Sequence, residues 1–255
     1  MKLERRYVEK PWGRTQLPPM FDAPPGKRIG EVWFTGGGEL PLLAKYIFTG
    51  ERLSIQVHPD DAQARARGLA QGKSECWHIL DAEPGAVLGL GLTREVNKDE
   101  LRQAALDGSI EQLMDWRPVA AGDFIFVPAG TIHAIGAGIS LLEFQQNTDV
   151  TYRLYDYGRP RELHLDDGVA VADPEPFGAQ IQHLSDSENV LVNGPHFRLA
   201  CAIHDMFEDK QRWVMPLSGA VRATGVAAAA GDCLLIEAGE QIEAEDARLL
   251  IGTTA

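Results

Sequence analysis

Two polar side chains that can bind a metal stand two residues apart in the segment Ser54-Ile55-Gln56-Val57-His58. Because its other residues are largely apolar and β-branched, the segment predicts a β-strand, in which Gln56 and His58 leave the same face. A carboxamide oxygen and an imidazole nitrogen on one face can share a metal ion. An isolated pair of this type is more often a hydrogen-bonded pair in a protein core, so the metal hypothesis needs further ligands.

A carboxylate ligand could come from Lys73-Ser74-Glu75, which begins another predicted strand. Glu75 shares a face of that strand with the apolar residues Trp77 and Ile79, so we expect its carboxylate to be buried. A buried carboxylate needs a cation or several donors. A metal ion would supply the cation, and Lys73 or an arginine could supply it instead.

A second histidine follows a turn in the segment 122–133. Pro128-Ala129-Gly130 can reverse the chain, so that His133 faces inward on the next strand. A lone strand histidine is more often a satisfied core residue, but here four candidates complement one another as hard and borderline ligands: Gln56, His58, Glu75 and His133. Such a set suits zinc, with manganese, iron or cobalt as alternatives. One carboxylate would leave the site with net positive charge, as a Lewis acid that holds an oxyanion requires.

Many short strands with Gly and Pro turns must position these ligands, and they predict a mainly β sandwich or jelly roll. The predicted strands are 29–34, 42–48, 52–58, 73–80, 124–127, 131–135, 139–145 and 151–157, with a hairpin turn at 49–51. A helix is predicted over 62–70 after a cap at 59–61. Two short helices, with capping-box spacing at Asn97/Glu100 and Ser109/Gln112, form a predicted insertion at about 96–117.

The composition changes after 173–176, which divides the chain into three predicted parts. Residues 1–173 are expected to form a first β domain that carries the candidate ligands, 174–187 a linker, and 188–255 a smaller C-terminal β module. The pattern of 231–236 is similar to that of 122–127, which indicates two related β modules, with ligands in the first alone.

Composition and charge limit the classes of partner. The net charge of −13 argues against a nucleic-acid partner, but a small phosphorylated ligand needs only a few local cations. No stretch has the length and apolarity of a membrane span, so we expect a cytoplasmic protein without a membrane partner. Three widely spaced cysteines predict buried thiols rather than a disulfide framework. Oligomeric state cannot be predicted from these data.

Several further stretches, in this order, resemble the short bacterial type I mannose-6-phosphate isomerases, zinc enzymes of the cupin superfamily. The matching stretches are Lys10-Pro11-Trp12-Gly13, 29–33, 53–61, 72–80, 122–135, 142–146, 151–159 and Arg161-Glu162-Leu163-His164. The resemblance implies interconversion of mannose 6-phosphate and fructose 6-phosphate. It also implies a cupin jelly roll, a reduced helical insertion and a metal-free C-terminal β module.

By the same resemblance, one Zn²⁺ per chain would be bound at Gln56, His58, Glu75 and His133. Arg153 would be the active-site arginine, and Lys73 would lie in the substrate pocket. Two departures from cupins at large are that Gln56-x-His58 replaces a two-histidine motif, and that Ala137 stands where many cupins carry asparagine.

The implied reaction removes a proton beside a carbonyl and passes through an enediolate. Arg153 can hold an enediolate or a phosphate because its guanidinium stays charged, although an ion pair with Asp156 or Glu143 is the alternative. Glu143 is a candidate proton shuttle, with a role as a structural partner of Arg153 as the alternative. Three cations are candidates for the substrate phosphate and could otherwise be ordinary structural or surface charges: Lys73, Arg159 and Arg161.

Two other functions stay open for this sequence. One is isomerisation of a different sugar or sugar phosphate, because the residues of a pocket wall cannot be recognised from sequence. The other is a non-catalytic, metal-containing sugar-binding cupin. All three interpretations share a small-molecule carbohydrate as the partner.

Overall fold

A computed structural model describes residues 1–184 and 189–255, which form two compact units: Met1–Tyr46 with Leu184–Ala255, and Ile47–His183. The strands are β1 (Glu4–Arg14), β2 (Ile29–Thr35), β3 (Leu42–Phe48), β4 (Ile55–Val57), β5 (Glu75–Ala82), β6 (Val87–Leu92), β7 (Met114–Pro118), β8 (Asp123–Val127), β9 (His133–Ile135), β10 (Ile139–Gln146), β11 (Tyr152–Tyr155), β12 (Gln182–His183), β13 (Asn189–Asn193), β14 (Phe197–Ala202), β15 (Arg212–Ala223), β16 (Val226–Ala229), β17 (Leu234–Ile236) and β18 (Ile242–Thr254). The helices are α1 (Asp61–Arg65), α2 (Lys98–Asp107), α3 (Ile110–Leu113) and α4 (Leu165–Val171). Within these described ranges, no helix is long and apolar enough to cross a membrane.

The unit Ile47–His183 contains two sets of antiparallel strands. One set has the order β10-β5-β8-β12, and the other has the order β11-β4-β9-β6-β7. The short strands and their antiparallel pairing confirm the predicted mainly β, cupin-like fold class.

Side-chain alternation gives the sheet containing β4 and β9 two different faces. Ile55, Val57 and Ala134 belong to a buried cluster with Leu101 of α2 and Val169 of α4. Successive side chains of a strand point to opposite faces, so burying these residues against the helices turns the intervening residues the other way. The helices therefore help to set the direction of the candidate ligands.

The predicted helical insertion is present but shorter than expected. Asn97 caps α2 by accepting a hydrogen bond from the Glu100 amide, and Gly108 ends it with a left-handed φ of 83°. The second predicted cap is wrong, because the Ser109 side chain makes no capping hydrogen bond. The chain returns to a strand at Met114, whereas the predicted helical insertion extended to about 117.

The other unit combines the first residues of the chain with its C-terminal strands. β1, β2 and β3 are neighbours in order, and β13-β14-β18-β15-β16 form a second sheet, with β17 paired to β15. Lys2 Nζ and Arg5 Nη2 lie 2.7 and 2.6 Å from the Asp232 carboxylate. These contacts join residues 1–5 to the C-terminal part of the same unit.

This grouping differs from the domain prediction, which assigned the whole of 1–173 to one domain. The boundaries 1–173, 174–187 and 188–255 remain a prediction. Part of the predicted linker, 185–187, lies outside the described residues.

Three local predictions are corrected by the structure. The hairpin at 49–51 is wrong, since Thr49 bonds instead to Gly136 and Ile139, and β4 pairs with β11 and β9. The helix predicted over 62–70 ends at Arg65, because the following turn requires Gly68 in the left-handed region, with a φ of 77°. The strand predicted to run to 157 ends at Tyr155.

Candidate active site

Three of the predicted site residues stand side by side across the sheet that contains β4. Gln56 is directly opposite His133 of β9 and, on its other side, opposite Arg153 of β11. Side chains at directly opposite positions of antiparallel strands share a face. His58 follows the end of β4 two residues after Gln56, so it leaves on that face too.

The carboxylate comes from the other sheet of the same unit. Glu75 begins β5, where it is opposite Val127 of β8 and Gln145 of β10. Its Oε1 lies 3.3 Å from His133 Nε2, and its Oε2 lies 3.5 Å from His58 Nε2. The two inward faces therefore meet at Glu75, which is buried, as its apolar neighbours predicted.

The loop before β9 has the predicted turn, which fixes the second histidine. Gly130 adopts a left-handed φ of 88° and donates its amide hydrogen to the His58 carbonyl at 2.8 Å. The Thr131 carbonyl lies 2.9 Å from His133 Nδ1. Since a carbonyl only accepts, Nδ1 carries the proton, and the Nε2 lone pair faces the cluster.

His58, Glu75 and His133 are all buried, and their nearest ligand atoms lie within 4.8 Å of one another. A tetrahedral ion with bonds of about 2.1 Å separates its ligand atoms by about 3.4 Å. The separations of 3.3 and 3.5 Å between Glu75 and the two histidines fit that requirement. Among the described residues, His58 Nδ1 has no hydrogen-bond partner although it is buried. Two imidazoles with one carboxylate are a donor set for a divalent ion.

Gln56 is adjacent to this cluster in a different role. Its Nε2 lies 3.2 Å from His133 Nε2, and its Oε1 accepts a hydrogen bond from the Ser54 hydroxyl at 3.1 Å. The amide nitrogen thus faces the position where the oxygen would be needed. Gln56 would become a ligand by rotation of its amide group, which exchanges the two atoms.

Lys73 brings a buried ammonium into the same cluster. Its Nζ lies 2.7 Å from Glu75 Oε2, 3.2 Å from His58 Nε2 and 3.6 Å from Glu143 Oε1. The alternative that Lys73 neutralises Glu75 is therefore realised. This ion pair does not rule out the metal-ligand cluster, because the Lys73 ammonium has a second carboxylate, that of Glu143, as a neighbour.

The hydrogen bond that holds Glu143 was not predicted from the sequence. The Trp77 indole donates from Nε1 to Glu143 Oε2 at 3.1 Å, and both residues are buried. Trp77 and Glu143 are directly opposite one another on β5 and β10. Finding this bond requires the pairing register of those strands, for which the only signal in the sequence was that Trp77 shares a face with Glu75.

Burial and neighbouring charges set the protonation states of the cluster. Burial, followed by the charge of Lys73, lowers the pKa of His58 to about 3, and burial also lowers the pKa of His133. Burial acts to raise the pKa of Glu75, but Lys73 and His58 outweigh it and hold that pKa well below its usual range. Neutral imidazoles and an ionised carboxylate are the forms that bind metals.

These shifts predict acid sensitivity of the metal-free protein. A histidine with a lowered folded-state pKa takes up its proton first in the unfolded chain, so stability falls as the pH drops below about 6.5. The window for His58 extends from there to about 3. Within this window we expect the free energy of urea unfolding, measured in chelator, to fall by about 1.4 kcal/mol per pH unit for His58, and His133 acts in the same direction. In a His58→Leu variant the slope should be smaller, and an unchanged slope would contradict the assignment.

The predicted arginines divide into two groups. Arg153 donates from Nε to the Glu162 carbonyl at 2.9 Å, and it contacts His164. Arg159 and Arg161 both pair with the buried Asp156, at 2.6 and 2.5 Å. An ion pair between Arg153 and Asp156 would therefore compete with these two arginines. An ion pair between Arg153 and Glu143 would compete with Trp77 and Lys73.

Arg159 also lines an open cavity of about 380 Å³ together with Arg52, Tyr157 and Ala137. His133 begins β9, and Ala137 comes two residues after its last residue, so this cavity borders the opposite end of β9 from His133. The structure therefore brings Lys73 and Glu143 to the metal-ligand cluster. Arg159 instead lies beside the cavity at the other end of β9.

The fold and the cluster together define a cupin-like β protein with a candidate centre for a divalent metal. No protein-family model matches the chain. The chain is 41% identical over 169 residues to a mannose-6-phosphate isomerase of Streptococcus mutans, covering 62% of this chain and 52% of the relative. It is 35% identical over 208 residues to one of Bacillus subtilis, covering 66% of each.

Solved structures agree with these relatives. A mannose 6-phosphate isomerase from Bacillus subtilis superposes with a TM-score of 0.82 at 27% identity, over 98% of both chains. A phosphomannose isomerase variant from Salmonella typhimurium gives 0.74 at 16% identity, over 99% of this chain and 98% of the other, which supports the fold alone. In sequence and in fold, the chain is similar to mannose-6-phosphate isomerases. In sequence it spans between half and two thirds of the length of these two curated relatives.

Proposed function

We propose that this chain is a metal-dependent aldose-ketose isomerase that interconverts mannose 6-phosphate and fructose 6-phosphate. The observation that carries the proposal is the buried cluster of His58, Glu75 and His133, with Arg153 on the same sheet face as Gln56. The curated relatives named as mannose-6-phosphate isomerases support the choice of substrate.

The proposed metal is zinc, one ion per chain, held by His58, Glu75 and His133, with Gln56 as a fourth ligand after its amide rotates. Two imidazoles and a carboxylate suit zinc, although manganese, iron and cobalt accept the same donors. The bound ion would supply Lewis-acid polarisation of the substrate oxygens. Because Glu75 carries the single carboxylate of the set, positive charge would remain for an oxyanion.

Glu143 would transfer the proton in this reaction, and Trp77 would position Glu143. In the proposed reaction, Glu143 removes the proton from the carbon beside the carbonyl, and the electron pair of that C–H bond moves to form the enediolate. The hydroxyl proton of the second carbon passes to the former carbonyl oxygen, and Glu143 returns the carbon-bound proton to the neighbouring carbon, which completes the isomerisation without a redox cofactor. The Trp77 indole, 3.1 Å from Glu143 Oε2, would hold the carboxylate in place.

Arg153 would stabilise the negative charge of the enediolate. A fixed guanidinium aimed at a developing oxyanion contributes on the order of 10² to 10³ in rate. Its Nε is anchored on the Glu162 carbonyl. We propose Lys73 as the contact of the substrate phosphate, because it lies among the metal-ligand candidates. Arg159 and Arg161, which pair with Asp156, are the alternative phosphate contacts.

The protein is proposed to work in the cytoplasm. Cys76, Cys201 and Cys233 are buried free thiols. Unpaired thiols are typical of proteins from reducing compartments, which supports that location.

Chelation tests the proposed function. We expect purified protein to contain about one zinc per chain and to convert mannose 6-phosphate in a coupled assay. Turnover should disappear with a chelator and return with zinc, because the bound ion is needed to polarise the substrate. Absence of turnover in metal-replete protein would contradict the isomerase proposal.

A substrate panel separates the alternatives within the same experiment. Faster turnover of another sugar phosphate would replace mannose 6-phosphate as the substrate. Thermal stabilisation by mannose 6-phosphate without turnover, unaffected by Arg153→Ala, would favour a sugar-binding cupin.

A further inference from the structure

His164 and Arg153 are joined by two hydrogen bonds, and the backbone amide of each residue donates one of them. The Arg153 amide donates to His164 Nδ1 at 3.1 Å, and the His164 amide donates to the Arg153 carbonyl at 2.8 Å. His164 Nε2 also lies 3.5 Å from Arg153 Nη2. One imidazole therefore touches both the main chain and the guanidinium of the arginine opposite Gln56.

These contacts define the protonation state of the ring. An amide hydrogen requires a lone pair on Nδ1, so the single proton of the neutral imidazole is on Nε2. Nε2 and Arg153 Nη2 are then both donors, and their 3.5 Å approach is a packing contact. A second proton on Nδ1 would leave the Arg153 amide without its acceptor and place two cations against one another.

Charged and polar groups reach His164 from each element beside it. They are Arg153 and Tyr152 of β11, Glu162 of the preceding loop, and Asp167 of α4, which itself pairs with Arg67 at 2.7 Å. Burial and then Arg153 lower the pKa of His164, against the opposing effect of Glu162 and Asp167. The surroundings as a whole therefore favour the neutral ring.

We propose that neutral His164 is a positioning residue for Arg153, and that protonation of its ring releases Arg153 from the geometry needed for catalysis. The catalytic part of this inference rests on the proposed isomerase function. The link from ring to arginine is independent of it. Acid would then reduce turnover through the position of Arg153.

A purely structural role for His164 is the competing explanation, because it precedes α4. The backbone carbonyl of His164 accepts from the Gly168 amide at 2.7 Å, and its side chain makes no capping hydrogen bond. A side-chain substitution leaves that backbone bond in place. The effects of the two roles can therefore be separated by the choice of substitution.

Two variants test the proposal in the metal-loaded protein. His164→Ala removes the acceptor and should lower kcat by about 10- to 100-fold, the usual effect of a misplaced catalytic group, with metal content unchanged. His164→Asn supplies an amide oxygen near the position of Nδ1 that does not titrate, and it should restore most of kcat. The asparagine variant should also lose the part of the acid limb of kcat that belongs to His164.

Nuclear magnetic resonance provides a readout that does not depend on turnover. The Arg153 backbone amide shift should follow the titration of the His164 ring with the same midpoint, below 6.5. Arg153→Ala should raise that midpoint, because a neighbouring positive charge is removed. Metal content measured at each pH separates this effect from loss of the ion.

The outcomes distinguish this inference from the proposed function. An Arg153 amide that does not respond to the ring, or an asparagine variant with the wild-type acid limb, would overturn the positioning role. A coupled titration without turnover of any sugar phosphate would uphold the contact between His164 and Arg153, and would reject the isomerase function instead.

Discussion

Replacing His133 with alanine should remove most of the bound metal and lower turnover by on the order of 10³-fold. His133 presents Nε2 to Glu75 Oε1 at 3.3 Å, and its Nδ1 proton is held by the Thr131 carbonyl, so its lone pair is already oriented. Alanine removes one of the two imidazoles from the cluster. Elemental analysis after dialysis and the coupled assay measure the two losses in parallel.

The fold should persist in the His133→Ala variant, because His133 is flanked by the buried apolar residues Ile132 and Ala134. The matched control is His78→Ala, a buried histidine of β5 outside the cluster, which should keep its metal despite a comparable loss of volume. Circular dichroism and urea unfolding report folding in both variants. Full metal occupancy in His133→Ala would remove His133 from the site.

Replacing Arg153 with alanine should lower kcat by about 10² to 10³-fold with the metal content unchanged. The reason is that Arg153 shares a sheet face with Gln56 and His133 but is outside the group of metal ligands. Arg153→Lys should recover only part of the rate, since lysine keeps the charge but loses the planar fork of donors. Steady-state kinetics with metal analysis of the same preparations measures this.

Arg102→Ala is the matched control for Arg153→Ala. Arg102 belongs to α2 and pairs with the exposed Asp166 at 2.6 Å, so its loss should leave kcat within about twofold. If Arg153→Ala had wild-type kcat, Arg153 would have no part in catalysis. If it instead lost metal, its role would be in the structure of the site.

The inward direction of each candidate ligand was predictable from sequence because it depends on local rules, whereas the meeting of the ligands depends on how the two sheets pair and pack. Alternation placed Gln56 and His58 on one face and Glu75 beside Trp77, and the turn at 128–130 placed His133 inward. Each of these inferences requires only the period of a strand and the chemistry of a turn. The structure adds that Gln56 directs its amide nitrogen toward His133, a choice between two rotamers of an amide that no sequence pattern encodes.

Other features depend on which strands pair, and these could not be predicted. The Trp77 bond to Glu143 requires the register of β5 against β10, and the His164 contact requires the loop after β11 to return along that strand. The hairpin predicted at 49–51 failed for the same reason, since Thr49 found partners in the 136–139 turn. Long-range contacts override local turn propensity.

Charge partners were the least predictable part of the site. Arg159 and Arg161 were recognised as cations near an expected phosphate, but both share the buried Asp156. A buried carboxylate with two guanidinium partners is a favourable arrangement in its own right. The sequence offered Asp156 as a partner of Arg153 instead, and the choice among three arginines is made by the path of the chain.

The origin of the ligands from two sheets has a consequence for how the protein folds. His58 and His133 belong to the sheet containing β4 and β9, whereas Glu75 belongs to β5 in the other sheet. Residues so far apart in the chain meet only after both sheets have formed with correct registers, so an ion could be captured only late in folding. The bound ion would link the two sheets and slow their separation. The supply of metal would therefore help to determine the lifetime of the folded protein.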